Sequence, residues 1–188
     1  MTFTPQHVYD TYRKDQNHDM WPYSEFLRMN ARGNILEIGV RDGVSTAAFL
    51  LGLEKNGGHL FSVDIDPECQ KLFDHPQWTF RYMDSRNILL AAEFTSKAWN
   101  FDIALVDGNH AREFVHADLR ACGKLVRPGG LILVHDIFGT PGGATEKQAA
   151  DNWPTRAVGE EFREYTNEMG WPTFDLPGRF GMGVIVRL

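Results

Sequence analysis

Residues 35–43 read ILEIGVRDG and residues 59–66 read HLFSVDID, and the interval between them decides the fold. Ile35–Ile38 is a short apolar run ending at Gly39. Val44–Lys55 then carries helix-forming residues up to Asn56-Gly57-Gly58, a cluster that stops a helix. His59–Ile65 is a second strand, and Pro67, at a first helical position after Asp66, opens another helix. Further out, Trp78–Met83 (WTFRYM) is a third strand followed by a helix over Arg86–Trp99. Phe101–Val106 (FDIALV) is a fourth strand, and Ala111–Val126 a helix stopped by Pro128-Gly129-Gly130. Leu131–Val134 is a fifth strand, apolar throughout as a strand covered on both faces should be. Strands alternating with helices in this way predict an α/β fold, a doubly wound, mostly parallel sheet with helices on both faces.

The two ends depart from the alternation. Residues 4–30 read as a helical cap, broken at Trp21-Pro22. The fifth strand is followed by GTPGGATEKQAADNW (139–153), whose glycines at 139–143 suggest a flap, and then by a helix near Thr155–Met169. The tail WPTFDLPGRFGMGVIVRL (171–188) reads as two strands joined by Pro177-Gly178, an antiparallel hairpin that brings the sheet to seven strands. At 188 residues, one domain accounts for everything: a cap over 1–30 and a core over 33–188.

Composition narrows the function. A 43% hydrophobic content excludes a disordered chain. Nineteen Lys and Arg against 25 Asp and Glu give a net charge of -6, which argues against nucleic acid or an anionic membrane as partner. Cys69 and Cys122 stand far apart without metal spacing, so they read as reduced thiols. The N-terminus MTFTPQHVYDTYRKDQ has no apolar signal region. The longest apolar stretch, Val44–Leu53, is well short of the ~20 residues a bilayer span needs. The expectation is a cytoplasmic protein.

In open α/β sheets ligands bind beyond the carboxyl ends of the strands. The residues there are Glu37, Asp64, Asp84, Asp107 and Asp136, one carboxylate per strand. Any one of them also reads as a helix cap, as Asp66 before Pro67 does. Five together suit a cationic or hydroxyl-rich ligand, or a metal ion, and repel a phosphate-rich one. The first loop is GxxxG and lacks the GxGxxG that grips a pyrophosphate, which disfavours a nicotinamide-dependent oxidoreductase. Asp64 follows Gly39 by about 25 residues, near the spacing of a carboxylate that grips ribose hydroxyls. A nucleoside with a positive centre and no pyrophosphate fits these features.

ILEIGVRDG followed by FSVDID resembles the first two motifs of the class I S-adenosylmethionine-dependent methyltransferases, over roughly residues 33–188. The resemblance implies a Rossmann-like sheet and S-adenosylmethionine as cofactor. It places Glu37 and the Gly39–Gly43 loop against the methionine portion, Asp64 on the ribose, and Asp84 with Ser85 near the adenine. Ser45, Ile65 and Asp107 complete the expected cofactor-binding set. The run VDGNHAREFVHADLRACGKLVRPGGLILVHD (106–136) is similar to the small-molecule O-methyltransferases, closest to the macrolide-sugar group and more distantly to the catechol type. Several members bind magnesium, which carries over to Asp107 and Asp136, with His135 standing where a second carboxylate is usual. Magnesium prefers oxygen ligands, so a site with His135, and with His110 nearby, suits manganese, iron or zinc better. The sequence leaves open whether a metal is needed and which.

The resulting expectation is methyl transfer to a hydroxyl of a small molecule. His110 is the candidate base beside Asp107, because an imidazole titrating near ~6.5 suits that task. Its bland alternative is an idle place in the first turn of the next helix. His116 reads as a surface or packing residue. No GxSxG elbow is present, and Ser45 and Ser62 carry no triad signal. Tyr9, Tyr12, Trp21, Tyr23, Phe138 and Trp153 read as core more than as a lid over the acceptor. Two other readings stay open, a metal-independent N-methyltransferase and a non-catalytic S-adenosylmethionine-binding domain. A homodimer is the default assembly.

Overall fold

Side chains alternate across a strand, and that alternation sorts this chain into layers. The computed structural model describes residues 2–15, 18–91, 94, 100–139 and 156–188. Two helices, α1 (Pro5–Tyr12) and α2 (Trp21–Asn30), precede β1 (Gly33–Ile38), α3 (Val44–Asn56), β2 (Gly58–Asp64) and β3 (Trp78–Tyr82). Then follow β4 (Phe101–Val106), α4 (Arg112–Leu125), β5 (Val126–His135), α5 (Arg156–Met169), β6 (Thr173–Leu176) and β7 (Met182–Val186). The strands form one seven-stranded sheet in the order β3-β2-β1-β4-β5-β7-β6. Strands β1 to β5 pair in parallel, and β7 runs antiparallel to both β5 and β6. This is the mixed sheet with a C-terminal hairpin that the alternation predicts.

On one face Ile35, Ile103, Leu105, Leu133 and Val184 pack under α1, α2 and α3. On the other, Leu36, Ile38, Ala104, Val106, Val134 and Ile185 pack against α4 and α5. The strand order reverses between β1 and β4, so the crevice opens above their carboxyl ends. Gly39 makes that junction tight: its φ is +92°, and a Cβ there would lie 2.2 Å from the Asp107 carbonyl oxygen. Only glycine is comfortable in that position.

Several boundaries differ from the sequence reading. The helix expected after Asp66 is a 3-10 turn over Pro67–Lys71, capped by the Asp66 carboxylate on Glu68 N at 2.9 Å. Of the helix expected over Arg86–Trp99, the part over Ser85–Leu90 is a 3-10 turn, and 92–93 and 95–99 lie outside the described residues. β5 begins at Val126, five residues before Leu131, because the Pro128-Gly129-Gly130 stop is absorbed into the strand as a register shift opposite Phe101 and Ile103. The tail supplies the lost pairing: Gly129 N donates to Arg187 O at 2.7 Å, and Arg187 N donates to Gly130 O at 3.0 Å. Trp21-Pro22 opens α2, since proline is tolerated in a first helical turn. Beyond Gly139, the expected flap and Trp153 lie outside the described residues. Cys69 and Cys122 are both free and buried. Among the described residues no helix is long and apolar enough to cross a membrane.

Candidate active site

Parity decides which side chains reach the crevice. Glu37 shares its face with Ile35, so it points beneath α3 and away from the rim, and it is fully buried. Its carboxylate accepts from Ser45 Oγ at 2.7 Å, Thr46 Oγ1 at 2.8 Å and Ser62 Oγ at 2.5 Å. Trp78 Nε1 in turn donates to Ser62 Oγ at 2.9 Å. Burial pushes the Glu37 pKa up to about 7 although the three hydroxyls pull it down, and the Asp107 charge adds to the rise. Glu37 and Ser45, both expected at the cofactor, thus bond to each other. Thr46, Ser62 and Trp78 complete a polar knot that ties β1, β2, β3 and the start of α3.

Asp64 ends β2, where its Oδ2 accepts from Val40 N at 2.7 Å and Arg41 N at 3.3 Å, and its Oδ1 from Asp66 N at 2.9 Å. It therefore fixes the Gly39–Gly43 loop, and Oδ1 keeps a lone-pair direction for a further donor. Gly43 has a φ of +75° and lies against Phe73. Ile65 is 63% exposed next to Asp64, a bare apolar surface on the rim. Asp84 caps Arg86 N at 3.0 Å and pairs with the Arg86 guanidinium at 2.6 Å, which holds its carboxyl low. Ser85, half-buried, opens the 3-10 turn beside it.

Four residues meet at the ends of β4 and β5. Asp107 continues the parity of Leu105, and His135 that of Leu133, so both rise on the α1–α3 side. His135 Nδ1 lies 3.1 Å from Asp107 Oδ1 and 3.4 Å from Asp136 Oδ1, while the Tyr23 ring stands edge-on to the imidazole at 5.3 Å. His110 Nε2 lies 3.2 Å from Asp136 Oδ2 and 3.9 Å from Asp107 Oδ1. Asp136 adopts a φ of +65°, an uncommon backbone for a residue with a Cβ, and this turn swings its carboxylate toward His110. Burial disfavours charge on the imidazole of His135, yet Asp107 and Asp136 outweigh it and hold the ring well above 6.5. Burial likewise opposes ionisation of Asp107, but His135 and His110 bring its carboxyl well below the usual range. Asp136 is pushed up, chiefly by burial.

Asp107, His110 and Asp136 each offer a ligand atom, all within 4.8 Å of one another, so this trio has the chemistry and closeness to hold a cation. His135, expected as a ligand, bonds the two carboxylates from behind, and its Nε2 is buried without a hydrogen bond. His116, on α4, pairs with Glu161 at 2.9 Å. Tyr9 and Tyr23 are core residues, and Tyr23 also donates its hydroxyl to Arg179 O at 3.1 Å. The cleft above the switch point has His18–Met20 on one wall and Val40–Asp42, Ser45 and Asp107 on the other. The sequence reading passed over His18 and Asp19, since no spacing rule links that segment to the β1 loop.

A family model described as a methyltransferase domain matches residues 36–137, more than half of the chain. A methyltransferase from Podospora anserina, solved with S-adenosylhomocysteine, superposes with a TM-score of 0.70 at 14% identity, covering 98% of this chain and 87% of that one. An O-methyltransferase from Bacillus cereus, also solved with S-adenosylhomocysteine, gives 0.60 at 20% identity, with 97% and 90% covered. MycE of the mycinamycin biosynthetic pathway, solved with magnesium, S-adenosylhomocysteine and mycinamycin VI, gives 0.64 at 19% identity. There the match covers 98% of this chain and 54% of MycE. No curated protein sequence matches. The seven-stranded order, the glycine junction at the switch point and the family match over its central strands agree, and the chain belongs to the methyltransferase-domain family as a class I S-adenosylmethionine-dependent methyltransferase.

Proposed function

We propose that the protein transfers a methyl group from S-adenosylmethionine to a hydroxyl of a small molecule, with Asp107, His110 and Asp136 as the reacting centre. The convergence of those three side chains at the switch point carries this reading. The acceptor oxygen attacks the methyl carbon in line with the sulfonium. The O–C bond forms as the S–C bond breaks, and the hydroxyl proton passes to His110 Nε2. The products are the methyl ether, S-adenosylhomocysteine and a protonated imidazole. Such a displacement needs the acceptor held within about 3–3.5 Å of the methyl, which is a positioning task for the cleft walls.

A divalent cation bound by Asp107, His110 and Asp136 would supply Lewis acidity toward the acceptor oxygen, and one imidazole among carboxylates suits manganese better than magnesium. MycE, solved with magnesium, supports the cation half of the reading. His110 then serves as ligand or as base, and metal dependence separates the two roles. On the cofactor side, Asp64 takes the ribose hydroxyls, the Gly39–Gly43 loop with Ser45 and Glu37 beneath it shapes the methionine end, and Ile65 with Asp84 and Ser85 borders the adenine. One methyltransferase domain is proposed over 1–188, with 1–30 as its N-terminal cap and 33–188 as its core. A homodimer in the cytoplasm completes the proposal, with light scattering to read the assembly.

The test is calorimetric titration of chelator-treated protein with S-adenosylhomocysteine. A panel of hydroxyl and amine acceptors with labelled S-adenosylmethionine follows, with and without manganese or magnesium. Micromolar binding and metal-stimulated transfer to a hydroxyl are expected. Absence of binding refutes the cofactor assignment. Transfer to amines that chelation leaves untouched refutes the metal-assisted hydroxyl reading.

A further inference from the structure

A second cavity, of about 200 Å³, is lined by Ile137, Phe138, Arg156, Glu160 and Arg163. One wall grows out of the reacting centre, since Ile137 and Phe138 follow Asp136 in a turn closed by Gly139 N on Asp136 O at 3.0 Å. The Phe138 ring rests on Gly181, where φ is +75° and a Cβ would lie 2.4 Å from Phe138 Cδ2. The ring nevertheless stays 49% exposed. The other wall is α5, which Arg156 opens and on which Arg163 follows about two turns later. Arg163 Nη1 donates to Gly159 O at 2.9 Å, which holds that guanidinium along the helix. Glu160, the one acid among the lining residues, lies 3.7 Å from Nη1 of Arg112, two residues past His110. Among the described residues neither Arg156 nor Arg163 stands in an ion pair.

In a chain of net charge -6 whose strand ends carry carboxylates, two arginines without acid partners at one cavity are an exception. Guanidinium groups bind oxyanions through paired N–H donors. A void of ~150 Å³ takes up benzene, so a cavity of about 200 Å³ has room for one substituted ring. The exposed Phe138 ring offers that guest an aromatic surface to pack on. We infer that this cavity recognises the methyl acceptor, a single-ring hydroxyl compound bearing a carboxylate or phosphate, with the acid on Arg156 and Arg163 and the ring against Phe138. The inference rests on the methyl-transfer reading above and narrows its acceptor to an acidic one. The acid group anchors the molecule, and its hydroxyl is left for the Asp136–His110 pair.

Calorimetry on protein saturated with S-adenosylhomocysteine measures the binding of 3-hydroxybenzoate, 4-hydroxybenzoate, 4-hydroxyphenyl phosphate and the neutral methyl 4-hydroxybenzoate. The proteins are the unaltered chain, Arg156→Gln and Arg163→Gln, with thermal unfolding to verify the fold of each. At least one acid is expected to bind about tenfold tighter than the ester. Each substitution should weaken that acid about tenfold and leave the ester within about twofold. Tighter binding of a benzoate assigns a carboxylate acceptor, and of the phosphate a phosphorylated one. Equal affinity for acids and ester overturns the inference. Equal loss on both does so too, because the arginines then only shape the wall, as does acid binding that neither substitution changes. If the unaltered protein binds S-adenosylhomocysteine but none of the ring compounds, the subsite is refuted while the cofactor reading stands. If it does not bind S-adenosylhomocysteine, both fall.

Discussion

Replacing Glu37 by glutamine tests the buried polar knot, and its effect should depend on pH with a definite sign. In the folded chain the Glu37 carboxyl titrates at about 7 against an ordinary 4.5. Between those values the folded protein holds a proton that the unfolded chain releases, so rising pH favours unfolding. The stability lost through this group is fully developed above pH 7 and amounts to about 3 kcal/mol. Over an accessible window from about pH 5.5 to 8 the same linkage gives about 2 kcal/mol. A glutamine of equal shape can accept from two of the three hydroxyls and donate to the third, and it has no proton to lose. Glu37→Gln should lie within about 1 kcal/mol of the unaltered protein at the acid end. It should then gain on it by about 2 kcal/mol toward pH 8. Urea unfolding followed by tryptophan fluorescence at several pH values measures the difference, in which other titrating groups cancel. A difference that stays flat with pH, or moves the other way, refutes the burial-driven protonation of Glu37.

Asp64→Ala should weaken S-adenosylhomocysteine about 100-fold, because it removes the ribose acceptor and frees the Val40 and Arg41 amides it now holds. Asp107→Ala, in the same titration, should retain binding while methyl transfer disappears. Equal affinities of the Asp64 variant and the unaltered protein would sink the cofactor assignment. Gly39→Ala forces a Cβ onto the Asp107 carbonyl at 2.2 Å and should cost at least ~2 kcal/mol, a drop in Tm of roughly 4–8 °C. An unchanged Tm contradicts the tight junction. Tyr23→Phe keeps the ring against His135 but loses the bond to Arg179 O, and calorimetric unfolding should register about 1 kcal/mol.

Strand by strand, the fold was readable because its signals are local. Ile35–Ile38, Phe101–Val106 and Leu131–Val134 are apolar runs of strand length, and the turns between them carry glycine and proline where the backbone must bend. The errors also have local causes. Asp66-Pro67 and Asp84-Ser85 both open helical turns, but the turn at Pro67–Lys71 is a 3-10 turn and the one at Ser85–Leu90 begins as one, and propensity does not reveal which kind of helix a start will build. Pro128-Gly129-Gly130 reads as a stop in isolation, and only the tail strand, through Gly129 and Arg187, makes it part of β5.

The rim was half legible. The rule about strand ends singled out Asp64, Asp107 and Asp136, and the structure puts all three at that edge. Glu37 is a residue earlier than a true strand end, since Ile38 closes β1, and the pleat turns its side chain into the layer below α3. Period-two parity is itself in the sequence, and aligning Glu37 with Ile35 would have assigned it to the core. What no linear pattern contains is which helix covers that face, because helix packing is fixed by contacts between distant segments. The sequence determined the element types, the switch-point loop without a pyrophosphate fingerprint and the carboxylates available. Tertiary structure alone decided that His135 stands behind the carboxylates while His110 joins them, and that His18 and Asp19 face Arg41. Each of these depends on side-chain direction and on residues far apart in the chain, and those are settled only when the layers pack.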